Sequence, residues 1–195
     1  MTRVIAGSSK GRRLQVPSGT TTRPTSDRAR EGLFSSLLSL LELDGARVLD
    51  LYAGSGALGL EAVSRGAASA TLVEDDPGAV AVLRANVELL RLPGTHVVAQ
   101  PVERFLAVDP ESRHDLALLD PPYDLGVEPV LEQLLPWLAD DAVVVVERRT
   151  RGAELAWPVG YERVRERRYG EATLWYAVRG GTARTLPLTL ERSGP

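Results

Sequence analysis

Apolar positions change period several times along the chain, and each change marks an element. Residues 47–51, 69–74, 95–100, 115–120 and 142–148 read as short strands. Residues 57–65, 77–91, 101–107 and 127–138 place apolar side chains at helical spacing. Leu116 to Leu119 and Ala142 to Val146 are continuously apolar, as strands covered on both faces are. Strand and helix alternate, which predicts an α/β fold with a doubly wound, mostly parallel sheet and right-handed crossovers.

Both flanks depart from that rhythm. Residues 2–6 and 13–17 are β-like and joined by Gly7 to Gly11, which predicts a hairpin. Thr25 or Ser26 caps a helix running to about Leu43, with Leu33, Phe34, Leu37, Leu38 and Leu41 as its apolar stripe. Past Glu147, residues 161–168 and 172–178 predict an antiparallel hairpin at the sheet edge. Residues 180–195 lack periodicity and are expected to form a disordered tail.

Between the first strand of the alternating region and its helix lies Gly54-Ser55-Gly56, with Gly59 three residues on. A strand, a glycine turn and a helix aim backbone N–H groups at a ligand. The spacing matches a dinucleotide fingerprint, and Glu74, 20 residues after Gly54, suits a ribose. Asp50, however, precedes the glycines by four residues. A carboxylate there is a poor neighbour for a pyrophosphate and a good one for a cationic amino-acid ligand. S-adenosylmethionine (SAM), with an ammonium and a sulfonium, fits best. A nicotinamide dinucleotide or a purely structural turn remains open at this point.

Asp120, Pro121, Pro122 and Tyr123 follow the fourth strand of the region directly. Ligands in doubly wound sheets bind at the carboxyl ends of the strands, so Asp120 should meet Asp50 there. An exocyclic base amine is a weak nucleophile because its lone pair is conjugated with the ring. A carboxylate and a rigid carbonyl can both accept its N–H bonds and turn it towards a methyl group. Two prolines hold such a carbonyl, and Tyr123 can stack on an unstacked base. An ordinary turn is the plainer reading of the same four residues.

Charge and composition add limits. There are no cysteines and two histidines, which excludes disulfides and thiolate metal sites and speaks against a histidine-rich one. No apolar run is long enough for a membrane span, and the first residues lack a signal-peptide stretch. A cytoplasmic, metal-free protein is expected. The net charge is −3, yet residues 1–30 hold seven cations against one acid, and the remaining residues carry −9. Such asymmetry reads as a basic nucleic-acid-binding arm on an acidic body, or as a solvated basic terminus. His96 and His114 read as structural, and Trp137, Trp157 and Trp175 as packing. Arg163, Arg165, Arg167 and Arg168 read equally as RNA contacts or as edge protection.

Four segments together resemble a known family: Arg3 to Gly7 with Gly11 to Leu14, Arg23 to Glu31, Val48 to Glu61, and Asp120 to Tyr123. The chain resembles the bacterial methyltransferases that modify a guanine N2 amine in 16S ribosomal RNA. The resemblance covers about residues 2–178. It implies a class I SAM-dependent methyltransferase fold, Rossmann-like, with a seven-stranded, mostly parallel sheet ending in an antiparallel hairpin. It also implies an arm over residues 1–24, a methyltransferase domain over 25–179 and a tail over 180–195.

By that resemblance Asp50, Ala53, Gly54 and Gly56 hold the methionine end of SAM and Glu74 the ribose hydroxyls, with Tyr52, Ser55 and Asp75 also among the cofactor-binding residues. Asp120 to Tyr123 would bind the guanine. Arg3, Lys10, Arg12, Arg13, Arg23, Thr25 and Arg28 would face RNA. Relatives of this class often carry Asp or Asn where Val102 stands, so adenine contact falls to backbone groups near Val102 or to Glu103. The expected partner is 16S ribosomal RNA or the small subunit, bound by a monomer. Adenine-N6 methylation of DNA or RNA, and a non-catalytic RNA-binding protein with a SAM fold, are the rival readings.

Overall fold

The structure, a computed structural model, describes residues 2–17, 27–122 and 125–180. Nine strands and five helices occur among them. They are β1 (Thr2–Arg3), β2 (Arg13–Leu14), α1 (Asp27–Leu37), β3 (Arg47–Leu51), α2 (Ala57–Ser64), β4 (Ser69–Glu74) and α3 (Pro77–Leu90), followed by β5 (Thr95–Ala99), α4 (Val102–Leu106), β6 (His114–Leu119), α5 (Glu128–Leu134), β7 (Leu138–Arg149), β8 (Tyr161–Tyr169) and β9 (Ala172–Arg179). β1 and β2 form a small antiparallel pair. The other seven strands form one sheet in the order β5-β4-β3-β6-β7-β9-β8. β5 to β7 pair in parallel, and β9 and β8 close the edge antiparallel. The expected fold class is therefore present.

The period-2 geometry of strands divides the core. Val48, Leu116, Leu118, Val143 and Val145 face α1, α2 and α3. Leu49, Leu51, Ala117, Leu119, Val144 and Val146 face α4 and α5. Both faces are covered, so Leu116–Leu119 and Val143–Val146 are buried throughout, which accounts for their unbroken apolar runs. Asp76 caps α3 by accepting the Ala79 N–H at 2.7 Å, and Pro77 opens the helix.

Several boundaries differ from the sequence reading. α1 ends at Leu37 rather than near Leu43. Beyond it the chain tightens into three-residue turns, and the Ser39 hydroxyl donates to the Ser36 carbonyl at 2.8 Å. A serine that bonds its own backbone competes with the helix, and Leu38 is left 61% exposed, outside the buried stripe. The helix expected over 127–138 stops at Leu134, because Pro136 converts its last turn to a 3-10 turn over Leu135–Trp137. β7 then begins four residues earlier than expected, at Leu138. The helix cap at Thr25 or Ser26 and the tail over 181–195 lie outside the described residues.

The hairpin docks on α2 through polar side chains. Buried Glu61 accepts the N–H groups of Ile5 at 2.6 Å and Ala6 at 2.9 Å and pairs with Arg65 at 2.7 Å. The Ser64 hydroxyl accepts from Ser9 N–H and donates to the Ala6 carbonyl. Gly7, at φ +81, lies so close to α2 that a Cβ there would sit 1.7 Å from the Ser64 carbonyl oxygen. Gly11 has nearly the same φ, +82, but open space around it. Gly7→Ala is expected to cost about 1–3 kcal/mol beyond Gly11→Ala, since only the former adds a clash to the backbone strain. Paired thermal melts of the two variants check this.

Candidate active site

β3 ends at Leu51, and the chain turns at once. Tyr52 adopts φ +61, Gly54 +55 and Gly56 +79, conformations that cost little at glycine and more at tyrosine. The Ala53 N–H bonds the Val73 carbonyl of β4, and the Gly56 N–H the Ala53 carbonyl. At Gly56 a Cβ would meet Leu83 at 2.4 Å; at Gly54 it would meet nothing within 4 Å. One glycine thus permits packing against α3, and the other leaves room above the loop.

Asp50 lies beneath that loop, only 1% exposed, and accepts the Gly59 N–H at 2.8 Å. Burial pushes its carboxyl up to about 7, against the Gly59 hydrogen bond and with a further contribution from the Glu74 charge. Glu74 sits at the mouth. One of its oxygens accepts from Gly54 N–H at 2.7 Å, and the other from the N–H groups of Asp75 and Asp76, both at 3.0 Å. These use three of about four acceptor positions of a carboxylate. The Tyr52 hydroxyl bonds Glu103 at 3.1 Å, and that contact joins the glycine loop to α4. The Val102 side chain is buried in the core beside α4 and α5, so of the two expected residues only Glu103 extends a polar side chain outward. The Ser55 carbonyl accepts from Asn86 Nδ2 at 2.9 Å.

Asp120 follows β6 with the same parity as Leu116 and Leu118, on the face that holds Asp50. Its N–H reaches the Leu51 carbonyl at 3.4 Å. Burial, then the charges of Glu147 and Asp50, raise the Asp120 carboxyl well above the usual carboxylate range. Leu119 pairs with Val146, so continuing that register sets Asp120 beside Glu147 of β7, which is buried. Three carboxylates from three neighbouring strands meet at one edge. The Pro122 carbonyl accepts from Leu125 N–H at 3.0 Å, and Arg148 Nη1 donates to the Leu125 carbonyl at 2.8 Å. Pro121 is buried, and its carbonyl accepts no hydrogen bond among the described residues. Tyr123, Arg23 and Thr25 lie outside the described residues.

The cations expected to face RNA divide. Lys10, Arg13 and Arg28 are exposed. Arg12 is tied to the Leu89 carbonyl at 2.9 Å and Arg3 to Asp27 at 3.1 Å. Arg30, counted in the basic segment, is 1% exposed. It donates to the Arg3 carbonyl and to Asp27, both at 2.7 Å, so it is an interior anchor and not an RNA-facing cation. His114 is buried against the Trp137 carbonyl, and Trp137 and Trp175 are core residues, in line with the structural readings.

Sequence reasoning missed Glu147, Glu61 and Asn86. Glu147 ends an apolar run in which an acid is conspicuous. Asn86 occupies a buried position on the stripe of α3, and a polar residue on such a stripe was the available signal.

Comparison with known proteins matches residues 2–178 to the family described as conserved hypothetical protein 95. The chain belongs to that family. It is 38% identical over 172 residues to ribosomal RNA small subunit methyltransferase D of Escherichia coli K12, covering 87% of this chain and 85% of that one. The solved structure of Escherichia coli yhhF superposes with a TM-score of 0.81 at 37% identity, over 91% of this chain and 97% of that one. A hypothetical protein of Thermus thermophilus gives 0.76 at 35% identity, over 90% and 98%. The protein is a methyltransferase, and the cofactor that its fold implies is SAM. Among the described residues no helix is long and apolar enough to cross a membrane, and no cluster of His, Asp and Glu is suited to a metal ion.

The site's chemistry fits that cofactor. A buried carboxylate, an acidic mouth and open space at Gly54 suit a cationic ligand without phosphate. Asp50 also carries a pH signature. Its folded carboxyl titrates near 7 against 3.8 for an ordinary Asp, so between those values the folded state holds a proton that the unfolded state does not. Stability therefore falls as pH rises through that window. Asp50→Asn, whose amide oxygen still accepts from Gly59, is expected to melt several degrees above wild type at pH 8 and level with it near pH 4. Calorimetry at both pH values checks this.

Proposed function

We propose that the protein methylates the exocyclic N2 amine of a guanine in small-subunit ribosomal RNA. The observation that carries the reading is the meeting of Asp50 and Asp120 on one face of the sheet. One carboxylate is suited to a cationic methyl donor and the other to an amine. Similarity to methyltransferase D, over nearly the whole of both chains, supports ribosomal RNA as the substrate. A monomer acting in the cytoplasm belongs to the same reading, as does the division into arm, methyltransferase domain and tail.

In this reading Asp50, with the backbone of Ala53, Gly54 and Gly56, holds the ammonium end of the cofactor. Tyr52 and Ser55 shape the loop, and Glu74 with Asp75 takes the ribose. Glu74 has about one acceptor position left for a hydroxyl, so holding both would displace the Gly54 N–H or share it. Val102 offers the adenine its backbone and Glu103 a carboxylate. When bound, SAM supplies an electrophilic methyl group.

The chain's own part is orientation. The Asp120 carboxylate and the Pro121 carbonyl each accept one N–H of the target amine. That directs the nitrogen lone pair out of conjugation and towards the methyl group. Pro122 keeps the carbonyl rigid, and Tyr123 stacks on the base. As the nitrogen gains its methyl group it becomes cationic and sheds a proton. Asp120, raised by burial and then by Glu147 and Asp50, is a suitable acceptor for it. Exposed Lys10, Arg13 and Arg28 carry the RNA backbone, with Arg3, Arg12, Arg23 and Thr25 beside them.

Incubation with methyl-labelled SAM and undermethylated small subunits, free small-subunit RNA or DNA, followed by digestion to nucleosides, tests the assignment. N2-methylguanosine from RNA is expected. N6-methyladenine would move the specificity to adenine, and SAM binding without transfer to any of them would overturn the catalytic reading. Asp120→Asn should lower kcat by about 100-fold or more and leave SAM affinity within about twofold by calorimetry. Retained turnover would contradict its role.

A further inference from the structure

The chain holds a second concentration of positive charge that the arm does not explain. Residues 148–179 contain eight arginines against four glutamates, a net +4, whereas residues 31–147 carry six arginines against twenty acids, a net −14. A basic strip therefore adjoins the most acidic part of the chain, and the fold decides where it points.

β7 and β8 are both antiparallel to β9 and hence parallel to each other. Their carboxyl ends, Arg149 and Tyr169, lie at the sheet edge where Asp50 and Asp120 end up. The β8–β9 turn is fastened there: Thr150 N–H bonds the Glu171 carbonyl at 2.8 Å, and Thr150 Oγ1 the Gly170 carbonyl at 3.1 Å. α1 brings Arg28 to the same edge, since a Cβ on Gly32, one turn later, would meet the Tyr169 hydroxyl at 2.1 Å. Arg28, Arg149, Arg151, Arg167 and Arg168 are all exposed. Behind them a cleft of about 280 Å³ lies between the 149–154 loop and the hairpin.

These arginines are not equivalent. Arg163 is held by Glu154 and Glu166 and lies over the Trp175 ring at 4.9 Å, so it braces the hairpin. Arg168 meets Glu166 at 3.2 Å, yet its side chain remains 65% exposed. Arg167 makes a 3.4 Å contact to the Glu166 carbonyl and is otherwise turned to solvent. An exposed edge strand gains protection from charge anywhere along its length. Apart from Arg163, which its two glutamates hold, the exposed arginines of β8 lie at its carboxyl end, on both faces, and Arg149 and Arg151 continue them past β7, a distribution that edge protection does not require.

We infer that Arg151 and Arg168 on one face of the hairpin end, and Arg167 with Arg28 on the other, form a second phosphate-binding surface that wraps the β8 edge and grips the RNA backbone there. The inference rests on the ribosomal RNA reading above. The target base then enters between two basic surfaces, the arm beside α2 and α3 and the hairpin edge beside α1. Placing the backbone on both sides fixes its position over the acidic centre, which by itself repels phosphate.

The triple variant Arg151→Ala, Arg167→Ala, Arg168→Ala is compared with wild type and with Lys10→Ala, Arg13→Ala of the arm. Binding to protein-free small-subunit ribosomal RNA is measured from low to moderate salt. The triple variant should bind about tenfold more weakly at moderate salt, and its log K against log salt slope should shrink by about two, at roughly 0.7–0.9 per phosphate contact. Its SAM affinity and melting temperature should match wild type. An unchanged slope in the triple variant, with a reduced slope in the arm variant, overturns the second surface and leaves the proposed function standing. Unchanged RNA binding together with new self-association on a sizing column assigns these arginines to edge protection and likewise overturns it. A wild-type chain that binds no such RNA overturns both.

Discussion

The ligand side of this protein depends on one buried carboxylate. Asp50 sits near the end of β3 with almost no solvent contact, where it accepts the Gly59 N–H. Burying a carboxylate is costly without compensation, and this site answers in two ways. The carboxyl is raised to about 7, so its charge is given up easily. It also lies beneath a loop whose proposed ligand is a cation. The contact requires α2 to begin within reach of β3, and only glycine at 59 permits that: a Cβ would lie 2.2 Å from Leu72 and 3.0 Å from the Asp50 carboxylate. The motif's glycines thus answer different demands, a left-handed turn at 54, a left-handed turn with close packing on Leu83 at 56, and close approach alone at 59.

The same helices hold the hairpin. Glu61 and Ser64 of α2 and Asn86 of α3 are buried polar residues whose partners lie on the N-terminal segment. Asn86 bonds Gln15 through both its amide oxygen and nitrogen, and its nitrogen also reaches the Ser55 carbonyl. One side chain therefore links the N-terminal segment to the glycine loop. Polar groups buried in this way are costly if left unpaired, so the arm's position relative to the loop is closely set. In the proposed reading, an arm placed that firmly orients RNA against the catalytic centre rather than merely holding it nearby.

Much of this was legible along the chain. Unbroken apolar runs at 116–119 and 142–146 announced strands covered on both faces, and the glycines after Asp50 announced the tight turn between β3 and α2. Less legible was the fate of individual charges. Arg30 belongs by position to the basic segment, yet it is buried as an anchor for Arg3 and Asp27. The stripe of α1 promised a longer helix, but Ser39 bonded its own backbone and ended it. Glu147 could not be assigned to the site, because nothing near it in sequence says that β7 lies beside β6.

Local pattern determined the elements, their order and the parallel arrangement, because period and turn chemistry depend on residues a few positions apart. Tertiary structure decided which polar residues meet. The register of β3, β6 and β7 brings Asp50, Asp120 and Glu147 to one edge and one face, and with period-2 strands a shift of one residue would have sent any of them to the opposite side. Register is settled by packing between segments far apart in the chain. The gathering of three acids, and of arginines around them, is therefore a property of the folded sheet.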